Sequence, residues 1–286
     1  MTGRRRSKKG VKHFWFNVLR VSILVFFVFF VLAPIYWMLI TSLKTDREIV
    51  NVNHITYWPE NLTFSNYFRL FDTLQFGVYL KNSIFLSVVS AIFVVIISIF
   101  GGYSLARYKF AGKMQFILFL LITQMVPGIL VMIPMYLVYL RFSLTNTYTG
   151  LFIIYIIGQL PFCIITMRSF FQRIPVSLEE SARVEGCNRI QAIFRIIVPI
   201  LLPGIISVFV FAFTAVWNDL MTGIIYTSKT AYRTIPVGMK GLIGKLNVQW
   251  GELTAGGIVA LLPTVVMFAI VQRFVVSGLT AGSIKE

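Results

Sequence analysis

The chain has 286 residues, of which 57% are hydrophobic and 13% charged, with a formal net charge of +16. Its mean hydropathy of +0.82 is far above that of a water-soluble globular domain and predicts an all-α polytopic membrane protein. A basic balance of this size also suits nucleic acid, but basic clusters beside apolar spans record membrane orientation, so the predicted surroundings are a lipid bilayer and no nucleic acid.

Residues 1–17 carry RRRSKKGVK and are predicted to be cytoplasmic. The apolar run that follows is too long for a signal-peptide core, so it is read as a retained first helix. About 20 apolar residues cross a ~30 Å hydrocarbon core at 1.5 Å per residue. Six runs qualify: Val21 to Leu43, Asn82 to Ala106, Met114 to Leu140, Leu144 to Met167, Ile196 to Asn218, and Leu253 to Gln272. Most basic residues fall on segments that share a side with the N-terminus, which predicts both termini in the cytoplasm. The predicted layout is a six-helix domain over 18–276 and a cytoplasmic tail over 277–286. External loops are expected at about 44–81 and 227–252, and a cytoplasmic loop at about 168–198.

The first external loop holds Trp58, Pro59 and Asn61 and is too rich in breakers for a domain, so short surface helices are expected. The second carries Gly238, Gly241, Gly244 and Gly251, which reads as a flexible tip, either a plain connector or a contact for an outside partner. Pro34, Pro127, Pro134, Pro161, Pro199, Pro203 and Pro263 predict kinks, structural in themselves or, at Pro127 and Pro134, bending a helix along a pathway.

Ion-coupled transporters place ionisable groups within the bilayer. The six runs contain no Asp, Glu, His, Lys or Arg, which predicts an energy source outside this chain. Thr123, Gln124, Gln159, Thr214 and Asn218 remain; they serve either a passing polar solute or helix–helix hydrogen bonds. GMKGLIGKL at Gly238 to Leu246 is the nearest approach to a phosphate loop, but its spacing is wrong and Leu246 stands where a Ser or Thr must hold magnesium. HExxH, paired CxxC and GxSxG are all missing from the sequence, so no catalytic residue, metal ligand or cofactor is predicted. Cys163 and Cys187 both fall toward the inner side, where a disulfide is not expected.

Between the fourth and fifth runs lies a charged island, IPVSLEESARVEGCNRIQAIFRIIVPILLPG. Ser177 and Glu180 match a capping box, predicting a helix from Leu178 with Glu179 and Glu180 in its first turn. Gly186 is placed to end it in the left-handed conformation. Asn188 caps a second helix through Val198 with Ile190, Ile193, Phe194 and Ile197 on one side, and Pro199 opens the fifth span. This much is equally an ordinary loop with two surface helices.

The order of residues resembles something more definite. Glu180, Ala182, Gly186, Ile196 and Pro199 match the EAA loop of ABC importer permeases (Glu-Ala-Ala, three residues, Gly, nine residues, Ile, any residue, Leu, Pro), with Ser181 for the second-position Ala and Val198 for the Leu. PIYWMLITSLK, the FxxxWND stretch at Phe213 to Asp219 and the tail QRFVVSGLTAGSIKE are similar to the carbohydrate branch, specifically the smaller permease of maltose-type importers. The resemblance implies a non-catalytic permease subunit for a sugar or oligosaccharide in a bacterial or archaeal plasma membrane. It implies cytoplasmic coupling helices between helices 4 and 5, with Glu179, Glu180, Ser181, Ala182, Glu185, Gly186, Ile196 and Pro199 coupling to an ATPase. It further implies a second homologous permease, two ATPase copies that bind the ATP and Mg, and an extracytoplasmic binding protein meeting Gly238, Gly241, Gly244 and Trp250. A permease for a polyol or glycerol phosphodiester is the close alternative; a secondary transporter or channel is the rival from another class.

Overall fold

The computed structural model describes the backbone of residues 4–51, 53–72, 74–244 and 248–280, with side chains over 15–51, 53–72, 74–244 and 248–272. Its regular structure is helical, in accord with the predicted class. Four helices are long and apolar enough to cross a bilayer without interruption: Trp15–Ser42, Phe76–Arg107, Tyr148–Gln172 and Trp250–Gln272. Two bent helix pairs bring the number to the expected six if each pair is one span. Lys113–Met125 and Gly128–Arg141 meet at 96°, and Arg189–Ile200 and Leu202–Trp217 at 81°.

The bends correct two expectations. The third and fifth spans were predicted as kinked but continuous; each is instead broken. Val126 is extended (φ −77°, ψ 123°), the conformation that the following proline ring imposes by clashing with a helical predecessor. Pro127 then caps the next helix from outside its first turn. Pro199 does not open the fifth span. A turn of π-helix at Ile193–Ile197 precedes it, and the break falls at Leu201 (φ −82°, ψ 0°), with Pro203 in the first turn beyond. Pro34, Pro134, Pro161 and Pro263 stay inside continuous helices, as neighbouring helices in a membrane permit.

The chain divides into two compact units, Met1–Thr73 with Gly244–Ile258, and Leu74–Ile243 with Val259–Glu286. In the first, α1 (Arg4–Ser42) leads to two short helices, α2 (Asp46–Val50) and α3 (Ser65–Asp72), so the segment at 44–81 holds short helices as expected. Fully buried Asn66 ties the loop together, its amide donating to the carbonyls of Ser42 and Lys44, both at 2.9 Å. Arg69 forms a fork on Asp46 at 2.6 and 2.8 Å and an ion pair with Glu252 at 2.9 Å. The guanidinium's hydrogen bonds hold the Asp46 carboxyl below the usual carboxylate range.

The second unit is built on α4 (Phe76–Arg107), against which α7 (Tyr148–Gln172) and α11 (Leu202–Trp217) pack; α5 (Lys113–Met125) packs on α7. The close approach follows from composition. Ser83, Ser87, Ser90, Ala91 and Ser98 recur on the buried side of α4, and small residues let helix backbones meet in a medium that supplies no hydrophobic drive between them. At Gly102 a methyl group would meet the Arg168 backbone N and the Met167 side chain at 2.8 Å. Tyr139 of α6 (Gly128–Arg141) joins Leu86, Leu151, Tyr155, Val216 and Tyr226 in a core cluster.

Candidate functional site

The charged island folds as α8 (Ser177–Val184), α9 (Arg189–Ala192), the π-turn and α10 (Val198–Ile200). The capping box predicted at Ser177 and Glu180 is not there. Val176 is the N-cap, already helical, and no side chain caps α8. The box lies one helix later, where the Asn188 side chain accepts from the Gln191 N–H at 2.8 Å and the Gln191 side chain accepts from the Asn188 N–H at 2.9 Å. Ser177 loses the role because Pro175 and Val176 have already begun the helical turn: the N–H groups of Leu178, Glu179 and Glu180 bond back to the carbonyls of Pro175 and Val176.

Gly186 does what its position predicts. Its φ is +88°, and the Cys187 N–H bonds to the Ala182 carbonyl at 3.0 Å while the Gly186 N–H bonds to that of Arg183 at 3.1 Å. These are the two bonds of a Schellman ending. Nothing lies within 4 Å of where a side chain on Gly186 would start, so backbone conformation alone calls for glycine here.

The two faces of α8 differ. Glu179 and Ala182 are buried, whereas Glu180, Ser181, Glu185 and Gly186 point outward. On the outer side Val184 is 89% exposed, beside exposed Leu178 and Val176. In the following segment Ile193 and Ile197 are buried but Ile190 and Phe194 are exposed, so the single apolar side predicted over Asn188 to Val198 is split. The π-turn, with its wider winding, throws the phase off. Ile196 is half-buried and Pro199 exposed.

What fastens the island was not foreseen. The Arg107 Nε donates to Glu179 Oε1 at 2.5 Å, its second amino group donates to the Ile174 carbonyl at 2.9 Å, and the Tyr103 hydroxyl donates to Glu179 Oε2 at 3.0 Å. The Arg107 and Glu179 side chains are 10% and 11% exposed. Each helix end favours its own charge, since Arg107 is the last residue of α4 and Glu179 lies in the first turn of α8. Arg189 at the start of α9 donates to the Tyr108 hydroxyl at 2.7 Å and covers its ring at 5.3 Å. Phe194 meets Phe100 edge-on at 6.0 Å. Arg107 reads in sequence only as an inside-facing basic residue; its partner is 72 positions away, and nothing local marks the pairing.

The five polar residues of the predicted pathway do not converge. The Thr123 and Thr214 hydroxyls bond back to the carbonyls of Leu120 and Val210 in their own helices, and the Gln124 and Asn218 amides do the same at Leu120 and Thr214. Gln159 is half-buried on α7. Among the described residues no hydrogen bond joins two of these side chains. Asp219, just beyond α11, accepts from the Tyr155 hydroxyl, the Thr222 hydroxyl and the Gly223 N–H, and burial raises its pKa.

The loop at 227–252 contains a 3₁₀ turn at Thr230–Tyr232 and α13 (Ile235–Lys240), preceded by α12 (Met221–Tyr226). Asn82 of α4 donates to the carbonyls of Ala231 and Arg233 at 2.8 and 2.9 Å and accepts from the Tyr148 hydroxyl at 2.7 Å. The Ser83 hydroxyl accepts from the Ile235 N–H at 2.8 Å. Asn146 accepts from the N–H groups of Ser228 and Lys229. The glycines are not those of a flexible tip. A methyl group on Gly238 would overlap the Tyr79 ring, one on Gly241 would come within 3.1 Å of the Gly238 carbonyl, and one on Gly251 would overlap Asn66. Gly244 is in the described coil and Trp250 is 52% exposed at the start of α14 (Trp250–Thr280); Leu246 and the tail beyond 280 lie outside the described residues.

Apolar helices long enough to cross a bilayer, two bent helix pairs and a charged island between α7 and α11 define a multi-pass membrane protein. Residues 98–280 match the model of the binding-protein-dependent transport system inner membrane component family, and the chain belongs to that family. It is 36% identical over 264 residues to the inner membrane ABC transporter permease protein YcjP of Escherichia coli K12, covering 92% of this chain and 94% of that one. It is 33% identical to the diacetylchitobiose uptake system permease protein DasC of Streptomyces coelicolor, covering 95% and 96%. The fold matches a crystal structure of a bacterial ABC transporter involved in the import of the acidic polysaccharide alginate, with a TM-score of 0.78, 22% identity, and 96% and 99% of the two chains covered.

Proposed function

We propose that this chain is the permease subunit of an ATP-driven importer for a sugar or short oligosaccharide. The observation that carries the reading is the two-faced island: Glu179 and Ala182 held inward, and Glu180, Ser181, Val184 and Glu185 presented outward on a helix ended by Gly186. The outward face docks a separate cytoplasmic ATPase, which binds ATP and Mg and supplies the energy that apolar runs without Asp, Glu, His, Lys or Arg cannot draw from ion coupling. The island and both termini are then cytoplasmic. The chain shares its pathway with a second, homologous permease, and a complex of the pair carries two ATPase copies. An extracytoplasmic binding protein delivers the solute against the loop at 227–252, Gly238, Gly241, Gly244 and Trp250 included. Relatives named for diacetylchitobiose and for trehalose/maltose support carbohydrate.

The extracytoplasmic binding protein that this reading requires is the test. Screened by thermal shift against mono-, di- and oligosaccharides, polyols and glycerol phosphodiesters, it is expected to be stabilised by a saccharide whose radiolabelled uptake disappears when this chain is deleted. Stabilisation by a glycerol phosphodiester or polyol alone would move the substrate to that class; uptake that survives the deletion would remove the transport reading.

A further inference from the structure

The island is joined covalently to α7 and α11, yet the side chains described above fasten it to α4. Phe100, Tyr103 and Arg107 of α4, with Tyr108 just beyond it, hold the π-turn, α8, the strand of chain entering α8, and α9 respectively. The opposite end of the same helix holds the second external loop through Tyr79, Asn82 and Ser83. The clamps lie toward the two ends of α4, which is 32 residues long without a proline, about 48 Å at 1.5 Å per residue. Its Gly101–Gly102 pair, where a helix could flex, is backed by Ile164 and Met167. Within this unit the third and fifth spans are broken, so neither offers an equally straight connection.

We propose that α4 is the rod that carries motion of the docking island to the external loop, with Arg107 as its positioning residue at the inner end. The inference rests on the ATPase-docking reading of the island. Arg107 is suited to the task because one guanidinium grips both the Glu179 carboxylate and the carbonyl that leads into α8, a two-point hold that a lysine ammonium cannot reproduce with the same geometry. A rigid element with a clamp at each end is one physical means of carrying coupling across such a distance. Coupling of this kind is reciprocal, so engagement of the external loop acts back on the island.

The test uses the whole complex, co-expressed with its cognate ATPase and partner permease in proteoliposomes. Cys163 and Cys187 are replaced by alanine, and exposed Ala231 in the external loop by cysteine. The reading is the labelling rate of that cysteine by a membrane-impermeant maleimide, nucleotide-free against ATP with vanadate. The expected ratio between the two states is about fivefold or more in the otherwise native complex. Arg107→Ala brings it to near one with the ATPase still bound, and Arg107→Lys recovers part of it, which a merely structural role would not produce. Glu179→Gln, which keeps the side-chain shape, is expected to lower the ratio as Arg107→Ala does and carries the test should that variant fail to assemble. A ratio unchanged in Arg107→Ala or Glu179→Gln, in a complex that retains its ATPase, overturns the rod and leaves the docking reading standing. A native chain that binds no ATPase overturns both.

Discussion

The island at 174–200 and the external loop at 226–244 are built to the same plan by different chemistry. Both are runs of short helices between apolar spans, and both are held by α4. The island is held by a buried ion pair, a tyrosine hydroxyl and a cation on an aromatic ring. The loop is held by neutral amides and hydroxyls accepting and donating to backbone, and by a glycine helix laid against a tyrosine. A charged clamp concentrates its strength in two residues and fails badly when one is removed. A neutral clamp spreads it over several partners, so that each loss is smaller.

The difference is sharpest at Glu179. Removing one member of a buried pair leaves the other charge uncompensated, at a cost of about 3–5 kcal/mol. Glu179→Ala is therefore expected to strip amide-exchange protection from 174–186 while the external loop stays protected. Replacing Glu179 and Arg107 together by Gln and Met is expected to restore most of that protection, because no unpaired charge remains. Equal loss of protection in both regions would show that the island has no clamp of its own.

At the outer end the largest single effect is steric. Any side chain at Gly238 enters the Tyr79 ring, and Tyr79 is itself buried. Overpacking of this kind costs about 1–3 kcal/mol. Gly238→Leu is expected to lower the thermal midpoint of the detergent-solubilised protein, and Tyr79→Ala in the same chain to recover it. A Gly238→Leu midpoint equal to that of the native protein would return this glycine to the flexible tip that its neighbourhood in the sequence first suggests.

The two clamps were also unequally legible. Apolar runs, the left-handed Gly186 and the Asn188 cap are local properties, and each is found where the pattern puts it. The Ser177 box failed because a capping motif is also local, and two residues upstream, Pro175 and Val176 had already supplied the turn. Arg107 with Glu179, and Asn82 with Ala231, join residues 72 and 149 apart; no periodicity reports such pairs. The loop glycines misled for a related reason. Glycine serves mobility and close packing alike, and only the neighbour, Tyr79 or Asn66, says which. Thr123, Gln124, Thr214 and Asn218 do not converge because each side chain bonds back to a backbone carbonyl three or four residues earlier.

Gly186 gives the smallest expected change in stability and the cleanest separation of shape from clamp. The space around it is open, so substitution adds no clash, and the whole effect is the cost of holding an L-residue at φ +88°, roughly 1–2 kcal/mol. Valine adds the stiffness of a β-branch, whereas asparagine enters the left-handed region readily. Gly186→Val is expected to open the Schellman ending and re-aim Glu180, Ser181 and Glu185 while Arg107 still grips Glu179. ATP hydrolysis should then continue with transport much reduced, and Gly186→Asn should transport close to normally. If both variants transport alike, the turn that ends α8 has no part in aiming its outer face, and the clamp on α4 is left as the sole determinant of where that face points.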